Sequence, residues 1–239
     1  MKILLSNDDG YFTSGIQALT KELEKKHEIY VAAPSVNHSA GSSALSVRKN
    51  INIDNVKKNH YVVEGTPADC VHIALSCLIK EKIDVVVSGI NLGANLGDDV
   101  LYSGTVAAAL EGRHLEMSPI AISLMSQNNI SIDKAANISS NLFEEIILKK
   151  NILKNTVLNI NIPDSSLDVF DIKFTRLGKR GVPLPATKTN NAYNIGSAGK
   201  PEDDGYDTDF FAVKESKISI SPLTYDLTNK EILNILNST

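Results

Sequence analysis

Four short stretches of this chain are apolar at consecutive positions, not at alternate ones: KILLS (2–6), EIYVAAP (28–34), IDVVVSG (83–89) and PIAISL (119–124). Runs of that length without a polar side predict strands covered on both faces, which is how parallel sheets are built. HYVVEG (60–65) and TVLNINIP (156–163) read as further strands. Helical patterns separate them. SGIQALTKELEKKH (14–27) places Ile16, Leu19 and Leu23 on one stripe, and Ser14 with Gln17 fits a capping box. Thr66, Pro67 and Asp69 predict a helix start by cap, first-turn proline and first-turn acid, with Val71, Ala74, Leu75 and Leu78 inward. GTVAAALEGRH (104–114) predicts a helix of small residues. Residues 131–148 predict another, with Ala135, Ile138, Leu142 and Ile146 inward. Strands alternating with helices define an α/β fold with a mainly parallel sheet between helical layers. Ligands of such sheets bind beyond the carboxyl ends of the strands.

After residue 163 the pattern changes. DIKFTR (171–176) and SKISISPL (216–223) alternate with period two, as half-exposed strands do. The segment between them is rich in Gly, Pro, Asn and Asp and reads as a long excursion or a hairpin arm. TNKEILNILNST predicts a short terminal helix from Asn229. Residues 1–163 are thus expected to form the core of a single domain, and 164–239 its C-terminal strands, arm and tail.

Composition narrows the function. A formal net charge of −4 argues against general affinity for DNA, RNA or anionic membranes. No stretch approaches the roughly 18 apolar residues of a membrane span, and the run before Asn7 is too short for a signal-peptide core. Cys70 and Cys77 lie about 10 Å apart along one predicted helix, too far for a disulfide, and read as two semi-buried thiols. A cytoplasmic protein is expected.

Three stretches carry candidate chemistry. In SNDDG, Asp8 and Asp9 stand at the end of the first predicted strand. Asn, Asp and Gly also make ordinary turns, but adjacent carboxylates repel, and a divalent cation with its preference for oxygen ligands is the simplest compensation. In SGINLGANLGDDVLYSGTV (88–106), glycines permit close backbone approach, and Asn91 and Asn95 offer neutral oxygens and amide donors. Ser103, Gly104 and Thr105 open the next helix, where free N–H groups and two hydroxyls suit a phosphate. In PSVNHSAGSSALS (34–46), Ser39 is a candidate metal oxygen and His38 a candidate acid or base. Dinucleotide and Walker glycine patterns, a G-x-S-x-G elbow, H-E-x-x-H and Cys/His ligand sets are all lacking; His72 and His114 have no partners at metal spacing.

Taken together, ILLSNDDG, VAAPSVNHSAGSSALS, GTPADCV, VVVSGINLGANLGDDVLYSGTVAAALEGR and ISISPLTYDLT resemble the SurE family of stationary-phase survival proteins along nearly the whole chain. The loop at 34–46 is the looser match: the family often has Arg or Gln where His38 stands. The resemblance implies a Rossmann-like three-layer core and a phosphomonoesterase of nucleoside 5′- and 3′-monophosphates, sometimes of short polyphosphate. It implies one divalent ion per subunit, Mg²⁺ or Mn²⁺, on Asp8, Asp9, Ser39 and Asn91. Phosphate would lie on Asn95, Ser103, Gly104 and Thr105. It also implies homodimers or homotetramers built through a hairpin arm and an exchanged C-terminal segment. Which of Asp8 and Asp9 takes the proton of an attacking water stays open, as does a covalent aspartyl-phosphate route. A nucleotide sensor without turnover, using the same loops, is the rival reading.

Overall fold

The computed structural model describes residues 1–126, 128–148, 156–166 and 170–238, with the side chains of 146–148 excluded. In chain order the strands are β1 (Lys2–Ser6), β2 (Glu28–Pro34), β3 (Ile53–Lys57), β4 (His60–Val63), β5 (Val85–Leu92), β6 (Ile120–Leu124), β7 (Val157–Ile162), β8 (Ile172–Phe174), β9 (Lys179–Arg180), β10 (Thr187–Thr189), β11 (Ala192–Asn194), β12 (Pro201–Asp203) and β13 (Ile218–Leu223). The helices are α1 (Ser14–Leu23), α2 (Pro67–Ile73), α3 (Gly104–Glu111), α4 (Ile132–Leu142), α5 (Asp209–Lys214) and α6 (Lys230–Asn237).

Nine strands form one sheet in the order β3-β4-β2-β1-β5-β6-β7-β13-β8. Every pairing from β4 to β7 is parallel, whereas β3 and β13 run antiparallel to their neighbours β4 and β7. The apolar runs of β1, β2, β5 and β6 follow from this placement. Ile3 and Leu5 face α1 and α4, where Ile16, Leu19, Ile122 and Ala135 join them. Leu4 faces α2 and α3, against Val71, Val86 and Ala108. Among the described residues no helix is long and apolar enough to cross a membrane.

Several expectations are corrected. Thr13, not Ser14, is the N-cap of α1, and its side chain does not cap the helix. The Thr13 hydroxyl instead donates to the Gly10 carbonyl at 2.8 Å, and Gln17 reaches the Tyr11 carbonyl at 2.6 Å. The turn after β1 thus takes the groups that a capping box would have used. At α2, by contrast, the predicted box is present: Thr66 Oγ1 accepts from Asp69 N, and Asp69 Oδ2 accepts from Thr66 N. The helices predicted past 73 and over 131–148 both pass into π-helical turns, at Ala74–Leu78 and Phe143–Leu148; the predicted inward side chain of Ile146 lies outside the described residues. Residues Ile218 to Ser221 of β13 are all buried, not half-exposed, because β13 lies inside the sheet between β7 and β8. Its polar side is satisfied there: Ser219 and Ser221 share hydrogen bonds with Thr175 Oγ1 at 2.7 and 2.8 Å. Of the two cysteines, Cys70 is buried and Cys77 exposed.

Behind the turn after β1, the Tyr11 hydroxyl and buried His60 Nδ1 share a hydrogen bond at 3.0 Å. Burial, with Lys57 nearby, drives the His60 pKa down to about 4. The unfolded chain therefore takes up this proton first. Stability from neutral His60 is complete above about pH 6.5 and falls as the pH drops toward 4. Urea midpoints across this range are expected to decline for the parent and to decline less for His60→Gln; parallel curves would refute the assignment.

Candidate active site

Beside β1 the sheet changes direction of winding: β2 flanks it on one side and β5 on the other, with α1 on one face and α3 on the opposite face. The crevice beyond the carboxyl ends of these strands is the natural ligand site of the architecture. Here the chain places SNDDG after β1 and the glycine-rich loop after β5.

Asn7 and Gly10 make a turn. Asn7 Nδ2 donates to the Gly10 carbonyl and to Thr13 Oγ1, both at 3.0 Å, and Asn7 Oδ1 accepts from Gly10 N. Gly10 has φ +114°, a conformation that disfavours a side chain. The turn reading of SNDDG holds for Asn7 and Gly10, and the turn directs Asp8 toward α3 and leaves Asp9 near β5. Asp8 is only 4% exposed and accepts from Thr105 Oγ1 at 2.6 Å. Its backbone carbonyl accepts from His38 N at 2.7 Å, which anchors the loop after β2. Burial pushes the Asp8 pKa up, opposed by the Thr105 hydroxyl, the Thr105 N–H and the nearby His38. Asp9 is half-buried and accepts from Asn37 Nδ2 at 3.1 Å. Its pKa is raised by burial and then by the charge of Asp8, against the pull of the Leu92 N–H and Asn37.

On the facing side, Asn91 Nδ2 is held by the Gly93 carbonyl at 2.7 Å, which leaves Oδ1 as the available atom. Ser103 caps α3: its Oγ accepts from Val106 N at 3.1 Å, which leaves the hydroxyl proton for another acceptor. The start of α3 is a more limited anion site than the sequence implied. Val106 N–H is occupied by the Ser103 hydroxyl, and Thr105 N–H lies close enough to the Asp8 carboxylate to help stabilise its charge, so Gly104 N–H is the first-turn donor without such an engagement. Gly104 itself packs flat on Asp8; a Cβ there would lie 2.6 Å from Asp8 Cβ.

These groups enclose a cleft of about 310 Å³ lined by Asp8, Ser39, Asn91, Asn95, Asp99 and Ser103. The structure brings most of the sequence candidates together: five line the cleft and Gly104 and Thr105 touch Asp8, whereas Asp9, held by Asn37, is not part of the lining. Among the described residues there is no cluster of three His, Cys, Asp or Glu side chains suited to a metal. A cation in this cleft would rest on two carboxylates and neutral oxygens, a donor set that suits a hard ion and not a thiolate- or imidazole-seeking one.

Sequence reasoning missed the supports. Asn95 N donates to Asn161 Oδ1 at 2.9 Å. The Asn95 carbonyl accepts from Asn159 and Asn161 at 2.9 and 3.0 Å, and Asn95 Nδ2 donates to Ser123 Oγ at 2.8 Å. The signal was present in LNINI of β7, where two asparagines are fully buried in a central strand. Asp99 is held by a forked pair of bonds from Arg180, at 2.7 and 2.6 Å.

The family model described as Survival protein SurE matches residues 3–183. The chain is 46% identical to a 5′-nucleotidase SurE of Ruthia magnifica subsp. Calyptogena magnifica, over 95% of this chain and 94% of that protein. It is 42% identical to the 5′-nucleotidase SurE of Legionella pneumophila (strain Lens), over 100% and 96%. Among solved structures, a SurE protein from Aquifex aeolicus superposes with a TM-score of 0.88 at 35% identity, covering 100% of this chain and 99% of that one. Sequence and fold agree, and the protein belongs to the SurE family.

Proposed function

We propose that the protein is a 5′-nucleotidase that hydrolyses nucleoside 5′-monophosphates to nucleoside and phosphate, with 3′-monophosphates and short polyphosphate as further substrates of the same site. One observation carries the reading: a buried aspartate, its acidic neighbour and a capped helix start converge on a cleft large enough for a phosphate. The family membership and the names of its relatives support it.

The cleft fits one divalent ion per subunit, held by Asp8, Asp9, Ser39 and Asn91. Asp8 keeps Oδ2 available because Thr105 fixes Oδ1, and Asn91 offers Oδ1 because Gly93 fixes its amide nitrogen. Bound there, Mg²⁺ or Mn²⁺ supplies neutralisation of phosphoryl charge and acidifies a water. The residues do the rest. The Ser103 hydroxyl, the Gly104 N–H and the remaining Asn95 Nδ2 hydrogen orient the phosphate, with Thr105 steadying the helix start. Asp8 or Asp9 accepts the proton of the attacking water, and preorganised donors stabilise the spreading negative charge.

Phosphate release from AMP with Mn²⁺, abolished by EDTA and restored by fresh metal, is the expected result. AMP binding without release would favour the sensor. We infer that the whole chain, 1–239, acts as one unit in the cytoplasm, and its unpaired cysteines fit a reducing compartment. We also infer a homodimer or homotetramer. Exposed Val182, Leu184, Tyr193 and Ile195 on the arm, and the apolar side chains of α6, support that assembly.

A further inference from the structure

The segment TDFF at 208–211 has no part in the cleft, yet Asp209 is fully buried. A carboxylate removed from water must be compensated by hydrogen bonds. Capping of α5 does not account for it, because Thr208 is the cap and its Oγ1 accepts from Phe211 N. Asp209 instead bridges two distant glycines. Oδ2 accepts from Gly97 N at 2.7 Å, while Oδ1 accepts from Gly178 N at 2.8 Å and Phe210 N at 2.9 Å.

Gly97 lies in the cleft loop, between Asn95 and Asp99, and has φ +52°. A Cβ there would meet the Phe210 ring at 2.7 Å and the Gly178 carbonyl at 3.0 Å. Phe210 and Val213 also bury Leu96, with Ala94 packed against them. Arg180 lies over the Phe210 ring, 5.0 Å from its centre, and forks onto Asp99. The loop between Gly93 and Ser103 has little regular structure beyond a short 3₁₀ turn at Gly97–Leu101. Its backbone is therefore held from outside: by the asparagines of β7 at Asn95 and by Asp209–Phe210 at Gly97.

We propose that Asp209, with Phe210, is a positioning residue for the nucleotide cleft: its carboxylate holds the Gly97 backbone and so sets where Asn95, Asp99 and Ser103 stand. Its effect on substrate rests on the nucleotidase reading; the clamp itself does not. Asp209→Asn replaces one accepting oxygen by a donor that faces an N–H group. KM for AMP and the inhibition constant of inorganic phosphate, both with Mn²⁺, should each rise about tenfold, since misplaced contacts weaken phosphate binding. Hydrogen exchange of 93–103 without ligand should quicken.

Leu23→Ala, which opens the core at the far end of α1, is the control for simple instability. It should lower the folded fraction while leaving KM, the phosphate constant and the relative exchange of 93–103 at parental values. Should Asp209→Asn not fold, Gly97→Ala, which keeps the carboxylate and presses on Phe210, carries the same expectation. Parental KM and exchange in the folded variant would overturn the proposal, whatever happens to kcat. If the parent releases no phosphate from AMP, the nucleotidase reading fails and the exchange comparison alone decides the clamp.

Discussion

Asp8→Asn is expected to lower kcat/KM for AMP by about a thousandfold or more, a loss of roughly 4 kcal/mol of transition-state stabilisation. The substitution is nearly isosteric, and an amide oxygen can still accept from Thr105, so packing around the helix start should survive. On the proposed reading, what disappears is a negative charge that would help to hold a cation. The same change should not weaken the metal-free protein. Asp8 is buried beside a second carboxylate, and an ionised group in that position costs more to desolvate than an amide does. The melting temperature without metal is therefore expected to equal or exceed that of the parent, while the rise caused by Mn²⁺ is lost. Thermal melts with and without Mn²⁺, beside steady-state kinetics, check both halves. Turnover within about tenfold of the parent would mean that Asp8 is not central.

Gly104→Ala sets two effects against each other. Alanine is the better helix former, by up to about 1 kcal/mol in a helix interior and less in the first turn. The added methyl, however, would lie 2.6 Å from Asp8 Cβ and 2.9 Å from Asp8 Oδ2. Asp8 cannot swing aside without breaking its bond to Thr105, and overpacking of this kind costs about 1–3 kcal/mol. The clash wins: we expect a net destabilisation of about 1–2 kcal/mol and, on the proposed reading that Asp8 acts on the substrate, a fall of about a hundredfold in kcat/KM, because displacement of a group at the reacting centre by a fraction of an ångström is costly. Urea denaturation and kinetics measure the two effects. An alanine variant that is more stable and fully active would show that α3 does not press on Asp8.

The core strands were legible because burial on both faces writes itself into consecutive residues, as in Ile3, Leu4 and Leu5. The edge strand β3 was not, since IDNVK is largely exposed and its hydrogen bonding to β4 leaves no mark on side-chain pattern. β13 misled for the opposite reason. Its serines look solvated in sequence but are buried and paired with Thr175. In the site, Asp8, Asp9, Ser103, Gly104 and Thr105 stood out by residue type at strand ends and a helix start. Ser123, Asn159, Asn161 and Asp209 did not. Their partners in the cleft loop lie 28, 64, 66 and 112 residues away, beyond the reach of any local pattern.

The sequence by itself determined the class of fold and the end of the sheet where the candidate residues gather, because periodicity and helix-start signals are short-range and survive in a bare string of residues. Only the tertiary structure decided which groups are left to act. It occupied Thr13 and Asn7 in a turn, tied the Thr105 hydroxyl to Asp8, took up the Val106 N–H in the Ser103 cap and hung the glycine-rich loop from β7 and α5. Those outcomes depend on hydrogen bonds between segments far apart in the chain, where a donor used in one place is unavailable in another, and only the folded topology makes that allocation.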